Sequence, residues 1–169
     1  MKTIRSPKVA EAPPQTWSNM KVANGYFHIA GMTGSGPKGE HPGDDMYIQA
    51  KSIFQKFKDL LEAAGGKMND IMSITVYVTN LDENTEVWRA RREFFTGDFP
   101  CSTLIEVKRV GSPKASPPLK VEINATDGDA GLQIIDITDP TNPQIVGSVE
   151  TPGYACDLAV AGSYACIAD

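Results

Sequence analysis

The sequence predicts an α+β domain, in which two helices cover one face of a single sheet, followed by a short all-β segment. Three observations predict it. Hydrophobic periodicity alternates between the strand period and the helix period over the first 125 residues. Charge then changes abruptly: residues 1–125 hold all 16 Lys and Arg with fourteen acidic residues, whereas residues 126–169 hold seven acidic residues and no basic one, for a net −5. Such a shift at one point marks two pieces of different origin. Finally, the last stretch is cut by Asp-Pro-Thr-Asn-Pro, Thr-Pro-Gly and Ala-Gly-Ser into four short apolar runs, the pattern of small strands with strong turns.

Composition narrows the function classes. No apolar run approaches the roughly 20 residues of a membrane span, and the three cysteines, Cys101, Cys156 and Cys166, leave an odd thiol that argues against a disulfide scaffold. No apolar core follows the basic residues at the N-terminus, so no secretory signal is expected and a cytoplasmic protein is the default. Neither piece has the basic excess of a nucleic-acid footprint. Nucleic acid is therefore discounted as a partner.

The elements follow in order. Met20 to Val22 and Tyr26 to Ala30 flank Asn24-Gly25, a type I′ dipeptide, which predicts a hairpin. A Gly/Pro loop occupies 31–43. From Asp45, the residues Ile53, Phe54, Phe57, Leu60, Leu61 and Ala64 recur at helical spacing and stop at Gly65-Gly66, so an amphipathic helix with a glycine cap is expected. Met72, Ile74, Val76 and Val78 alternate with Ser73, Thr75 and Tyr77 as in a half-buried strand. A second helix is expected over Asp82 to Phe95, with Val87, Ala90, Arg91 and Phe94 on one side. Ser102 to Val107 and Leu119 to Ala125 close the domain as strands, giving β-β-α-β-α-β-β.

In the last strand Leu119, Val121, Ile123 and Ala125 point toward the helices, and Lys120, Glu122 and Asn124 point away. No helix remains to cover that second face, so subunits are expected to pack sheet to sheet in a small cyclic oligomer, with polar groups lining clefts between them.

The segments "GYFHIAG", "AKSIFQKFKDLLEAAGGKMNDIMSITVYVTN", "REFFTGDFPCSTLIEV" and "KVEINA", in this order and spacing, resemble the Rid/YjgF family of reactive-intermediate deaminases over residues 10–126. The resemblance implies a chorismate-mutase-like (YjgF-like) fold, a homotrimer with three clefts at its subunit boundaries, and no metal or cofactor. It implies hydrolysis of small imines and enamines to carbonyl compounds and ammonia. In the family pattern an Arg in Pro-Ala-Arg-Ser holds the substrate carboxylate, and a Glu of the last strand positions water. Here Glu122 falls on the Glu position and Gly31 on a glycine whose backbone borders the cleft. Ser102 stands where the Arg would be, with Cys101 before it; Trp17 and Trp88 replace a Tyr and an Asn.

A guanidinium grips a carboxylate with two charge-assisted bonds and a hydroxyl offers one neutral donor, so this departure leaves two readings open. One is a deaminase whose Glu122 serves as general base and acid, with Gly31, Ser102, Cys101, Trp17 and Trp88 around the substrate. The other is a non-catalytic ligand-binding or scaffold trimer. A ribonuclease role, sometimes attached to this family, finds no basic surface here. Cys101 reads as a packed residue more readily than a nucleophile, since no base stands at a telling spacing. His28 and His41, with Asp44 and Asp45, form no recognisable ligand pattern, so no metal site is expected. Arg89, Arg91 and Arg92 read as a solvated helix face beside Glu86 and Glu93, although an inward one could replace the lost anchor.

Residues 127–169 resemble one LVIVP-type propeller repeat, from Asp127 to a point where the next unit would open. A lone blade cannot bury both faces. A truncated or artificial fusion is expected, with the alternatives that the blade packs on the first domain or that blades of several subunits associate.

Overall fold

The computed structural model describes residues 1–23, 25–36 and 40–127 in full, and beyond them the backbone of four strands between Leu132 and Ala168. The chain divides into two compact units, Met1–Ala23 with Phe27–Asp127, and Asn24–Tyr26 with Gly128–Asp169.

The first unit contains strands β1 (Lys2–Ile4), β2 (Met20–Ala23), β3 (Tyr26–Thr33), β4 (Ser73–Val78), β5 (Cys101–Glu106) and β6 (Val121–Thr126), with helices α1 (Met46–Ala64) and α2 (Asn84–Arg91). They form one six-stranded sheet in the order β1-β2-β3-β6-β4-β5. Pairing is antiparallel for β1 with β2, β3 with β6 and β4 with β6, and parallel for β4 with β5. β1 is an addition to the expected order. Its three residues are too few to show a period, and Ile4 is held there because it and its partner Met20 both enter the core.

α1 starts where Asp45, in an extended conformation, accepts the Ile48 N–H on its carboxylate at 3.1 Å, which satisfies one of the free donors of the first turn. It ends at Gly65, whose φ of +89° is the left-handed cap that a β-carbon would disfavour. Ile53, Phe54, Phe57, Leu60 and Leu61 are buried as the spacing predicts, whereas Ala64 is exposed, since the helix has by then run past the sheet. α2 is shorter than expected. A 3₁₀ turn, Leu81–Glu83, precedes it, and after Arg91 the chain tightens, with Phe94 N–H bonded to the Arg91 carbonyl. That tightening turns Phe94 and Phe95 onto Phe54, at 5.8 and 5.9 Å between ring centres.

Alternation sorts the sheet into two faces. Ile74, Val76 and Val78 pair with Ala125, Ile123 and Val121, and all six are buried beneath the helices. Ser73, Thr75 and Tyr77 pair with Thr126, Asn124 and Glu122 on the other face, where every one is only half-buried. Among the described residues of the first unit no helix covers that face. In β3 the register slips between Ile29 and Met32, so that Ala30 and Gly31 together oppose the single residue Asn124. This bulge is the feature that positions the site.

In the second unit β7 (Leu132–Asp136) pairs with β8 (Gln144–Val149), and β9 (Asp157–Ala161) with β10 (Tyr164–Ala168), each antiparallel. The four expected strands occur, and among the described residues they form two antiparallel ladders. The turns between them, and Asn24 of the predicted hairpin turn, lie outside the described residues; Gly25 takes φ +86°.

Candidate functional site

Glu122 lies at the floor of an open cleft of about 450 Å³ on the sheet face away from the helices. The β3 bulge, β4, β6 and the chain after β5 contribute its walls: His28, Ala30, Gly31, Tyr77, Asn124, Val107, Arg109, Val110 and Gly111. The carboxylate is fixed from two sides. Gly111 N–H donates to Glu122 Oε2 at 3.0 Å, and Gly31 presents bare backbone to Oε1, so closely that a β-carbon there would run into the oxygen. Gly111 is itself required, because its φ is +60° and a β-carbon would meet Leu119 and Thr33 side-chain atoms at 2.8 Å. An oriented carboxylate beside a half-buried amide, whose Asn124 Oδ1 is buried without a hydrogen-bond partner, can accept protons or N–H groups from a small polar molecule.

Of the residues singled out from the sequence, the structure brings Glu122 and Gly31 together. The other four stand elsewhere in the same chain. Ser102 pairs with Ile74 and so projects from edge strand β5 on the helix side, where its Oγ accepts a 3.1 Å hydrogen bond from Arg91 Nη2. Cys101, read from the sequence as a packed residue, is instead a free, exposed thiol, because it opens an edge strand of which no residue is buried. Trp88, on α2, is 46% exposed. Trp17 is 58% exposed and lines a separate hollow with residues of the N-terminal segment.

Two readings from sequence change. Arg91 is not a solvated helix residue: it is half-buried, and burial pushes its guanidinium below the usual range. Arg89 is the surface member of the trio, paired with Glu86 at 2.9 Å and stacked 3.8 Å from the Tyr47 ring centre. Tyr47 and Lys51 also share Glu93, which ties α1 to α2. The second change concerns histidine. His28 lines the Glu122 cleft, a role that its place in a strand concealed. His41 has both ring nitrogens committed to backbone, Nδ1 accepting from Gly43 N–H at 2.9 Å and Nε2 donating to the Pro117 carbonyl. Among the described residues no group of three His, Cys, Asp or Glu side chains could hold a metal ion.

Tyr77 and Asn124 were legible, since the period of two places both on the face of Glu122. Arg109 and Gly111 were not, because they follow β5 in irregular chain whose course no periodicity reports.

A family described as Endoribonuclease L-PSP matches residues 8–126. This chain belongs to that family, the Rid/YjgF family. The L-PSP domain is 33% identical over 110 residues to the 2-iminobutanoate/2-iminopropanoate deaminase of Escherichia coli, covering 63% of this chain and 77% of that protein. It is 29% identical over 111 residues to a RutC family protein of Pyrococcus horikoshii, covering 65% and 88%. Its fold is shared with the YjgF gene product of Escherichia coli at a TM-score of 0.65 and 29% identity, over 75% of this chain and 98% of that one. RidA from an Antarctic Psychrobacter gives a TM-score of 0.66 at 25% identity, over 76% and 100%. The tail matches the LVIVD repeat in two stretches, 125–151 and 152–169. The matching family model is that of the LVIVD repeat where the sequence resembled an LVIVP-type one, and the match falls in two stretches where a single unit was expected. No described helix is long and apolar enough to cross a membrane.

Proposed function

We propose that this protein hydrolyses small reactive imines or enamines to carbonyl compounds and ammonia, at clefts between the subunits of a homotrimer. The observation that carries this reading is the Glu122 carboxylate, pinned by Gly111 and laid against the bare backbone of Gly31 in an open polar cleft. Water bound to Glu122 adds to the C=N carbon while its proton passes to the carboxylate. That proton moves to nitrogen to give the carbinolamine; the carboxylate then takes the proton of the new hydroxyl and delivers it to the same nitrogen, so that the C–N bond breaks and ammonia leaves as the carbonyl forms. Neither metal nor redox cofactor is needed for that balance. The relatives named as deaminases of 2-iminobutanoate and 2-iminopropanoate support this substrate class.

The trimer is supported by two features: the sheet face bearing Glu122 has no cover from its own domain, and Ser102 and Glu122 project from opposite faces of the sheet with β4 between their strands. A small molecule cannot touch both in one chain, whereas a cleft between two copies can bring them together. The two-domain division at residue 126 belongs to the same proposal, with the tail contributing nothing to the site.

The test is ammonia release from 2-imino acids generated in place by an amino-acid oxidase, and from neutral imines. Glu122→Gln keeps the size and hydrogen-bonding of the side chain and is expected to lower turnover about a hundredfold or more, the scale of a lost general base. A parent protein that leaves the uncatalysed rate unchanged would favour the second reading, a ligand-binding trimer without catalysis. What favours that second reading is Ser102 itself, a neutral hydroxyl where the family pattern has a cation.

A further inference from the structure

We propose that Arg91, delivered from α2 onto Ser102, is the anion anchor of this protein and takes the carboxylate of a small 2-imino acid; the identity of that substrate rests on the hydrolase reading above.

The three arginines at the end of α2 are in different chemical states. Arg89 is satisfied by Glu86 and by the Tyr47 ring. Arg92 is exposed to solvent. Arg91 alone is half-buried, and among the described residues no carboxylate lies within ion-pair distance of it. Its Nη2 is held by Ser102 Oγ at 3.1 Å, and its Nε is buried with no hydrogen-bond partner. A desolvated cation without a counter-ion is costly for a fold to keep. An anion arriving from outside relieves that cost, and a planar guanidinium accepts a carboxylate through two parallel bonds.

The placement also suits a ligand. Ser102 belongs to an edge strand of which no residue is buried, so the guanidinium sits where a small molecule can reach it. Trp88, three residues before Arg91, shares its side of the helix and leaves 46% of its surface open, an apolar wall for the short alkyl part of such an acid. Lysine would not serve as well at this position, because one Nη2 hydrogen goes to the serine while Nη1 and the second Nη2 hydrogen are left for the carboxylate, a division that a single ammonium cannot make in a fixed plane. On this inference the neutral residue at position 102 is no longer a sign of lost substrate binding: the cation has moved from strand to helix, and the serine orients it.

The experiment is calorimetric titration with 2-oxobutanoate, which carries the carboxylate but no reactive C=N bond, run beside the ammonia assay. Arg91→Met is expected to weaken 2-oxobutanoate binding roughly ten- to hundredfold, the scale of charge-assisted hydrogen bonds. Arg92→Met is expected to bind as the parent does. Should Arg91→Met misfold, Arg91→Lys serves in its place, keeping the charge while losing the fork, with a smaller loss of binding. The double variant Arg91→Met with Ser102→Arg is expected to recover binding by returning a guanidinium to the strand.

Unchanged binding in Arg91→Met, absence of binding in the parent, or a loss that follows Arg109→Met instead would each overturn the anchor. The two proposals fail separately. Binding that depends on Arg91 without any turnover sinks the hydrolase and keeps the anchor; turnover of 2-imino acids with an unchanged KM in Arg91→Met sinks the anchor and keeps the hydrolase.

Discussion

Gly31 enters the proposed chemistry through what it lacks. Its backbone faces Glu122 Oε1 so closely that a methyl group there would displace the carboxylate. Gly31→Ala is accordingly expected to lower imine turnover about a hundredfold, the scale of an ångström-sized misplacement of a reacting group, with a much smaller change in the urea midpoint. Full turnover in that variant would mean that the position of the carboxylate does not govern the reaction. Lys56 is a second residue whose surroundings give a measurable consequence. Its ammonium donates to the Thr33 carbonyl at 2.7 Å, and burial lowers its pKa to about 8 from 10.5. Below pH 8 both the folded and unfolded chains carry this proton, and the folded state bears the whole cost of burying a charge. Between about 8 and 10.5 the unfolded chain holds more protons, so stability rises with pH across that window. Urea midpoints at pH 7.5 and 9.5 are expected to show a gain in the parent that Lys56→Met lacks. Parallel profiles for the two proteins would dispose of the effect.

Helix boundaries show how far local signals reach. The extent of α1 was legible because both ends carry their own chemistry: Asp45 caps the start and Gly65 closes the end at φ +89°. Gly65→Ala forces a β-carbon into the left-handed region and is expected to cost about 1 kcal/mol in urea unfolding; an unchanged midpoint would show that the cap contributes nothing. The end of α2 has no such signal. Arg92, Glu93 and Phe94 continue a helical pattern in the sequence, and the chain leaves it because Phe94 and Phe95 gain more by packing on Phe54 than by extending the helix. The fate of Arg91 follows from that element-level event. The helical period sets Arg91 on the side of Val87 and Ala90 without saying what it meets, whereas the geometry of the helix end sends Arg89 to Glu86, Arg92 to solvent and Arg91 to Ser102.

For the molecule as a whole, the open sheet face is the feature with most consequence. Thr75, paired with Asn124 in the middle of that face, is half-buried in a single chain and would be enclosed if copies pack sheet to sheet. Thr75→Arg is expected to shift sedimentation from trimer to monomer, to abolish imine turnover and to leave the protomer's far-ultraviolet circular dichroism unchanged. A trimer that tolerates the arginine would exclude this face as the interface. Strand alternation in β4 and β6 was enough to foresee the face and most of its residues. The arrangement of the candidate site was less accessible: Glu122 and Gly31 meet, while Ser102, Cys101, Trp17 and Trp88 are distributed over other surfaces of one chain.

By itself the sequence determined the α+β class, the span of α1, the buried and open faces of the central strands and the outward placement of Glu122 on the open face. Each of these is written in a local period or a capping residue, and backbone geometry translates such signals directly. Tertiary structure alone decided that Gly31 abuts Glu122, that Gly111 and Arg109 close the same cleft, and that Arg91 turns inward to Ser102. Those contacts join residues as far apart as Gly31 and Glu122, or depend on how a bulge and a helix end settle against neighbouring layers, and no local periodicity encodes them.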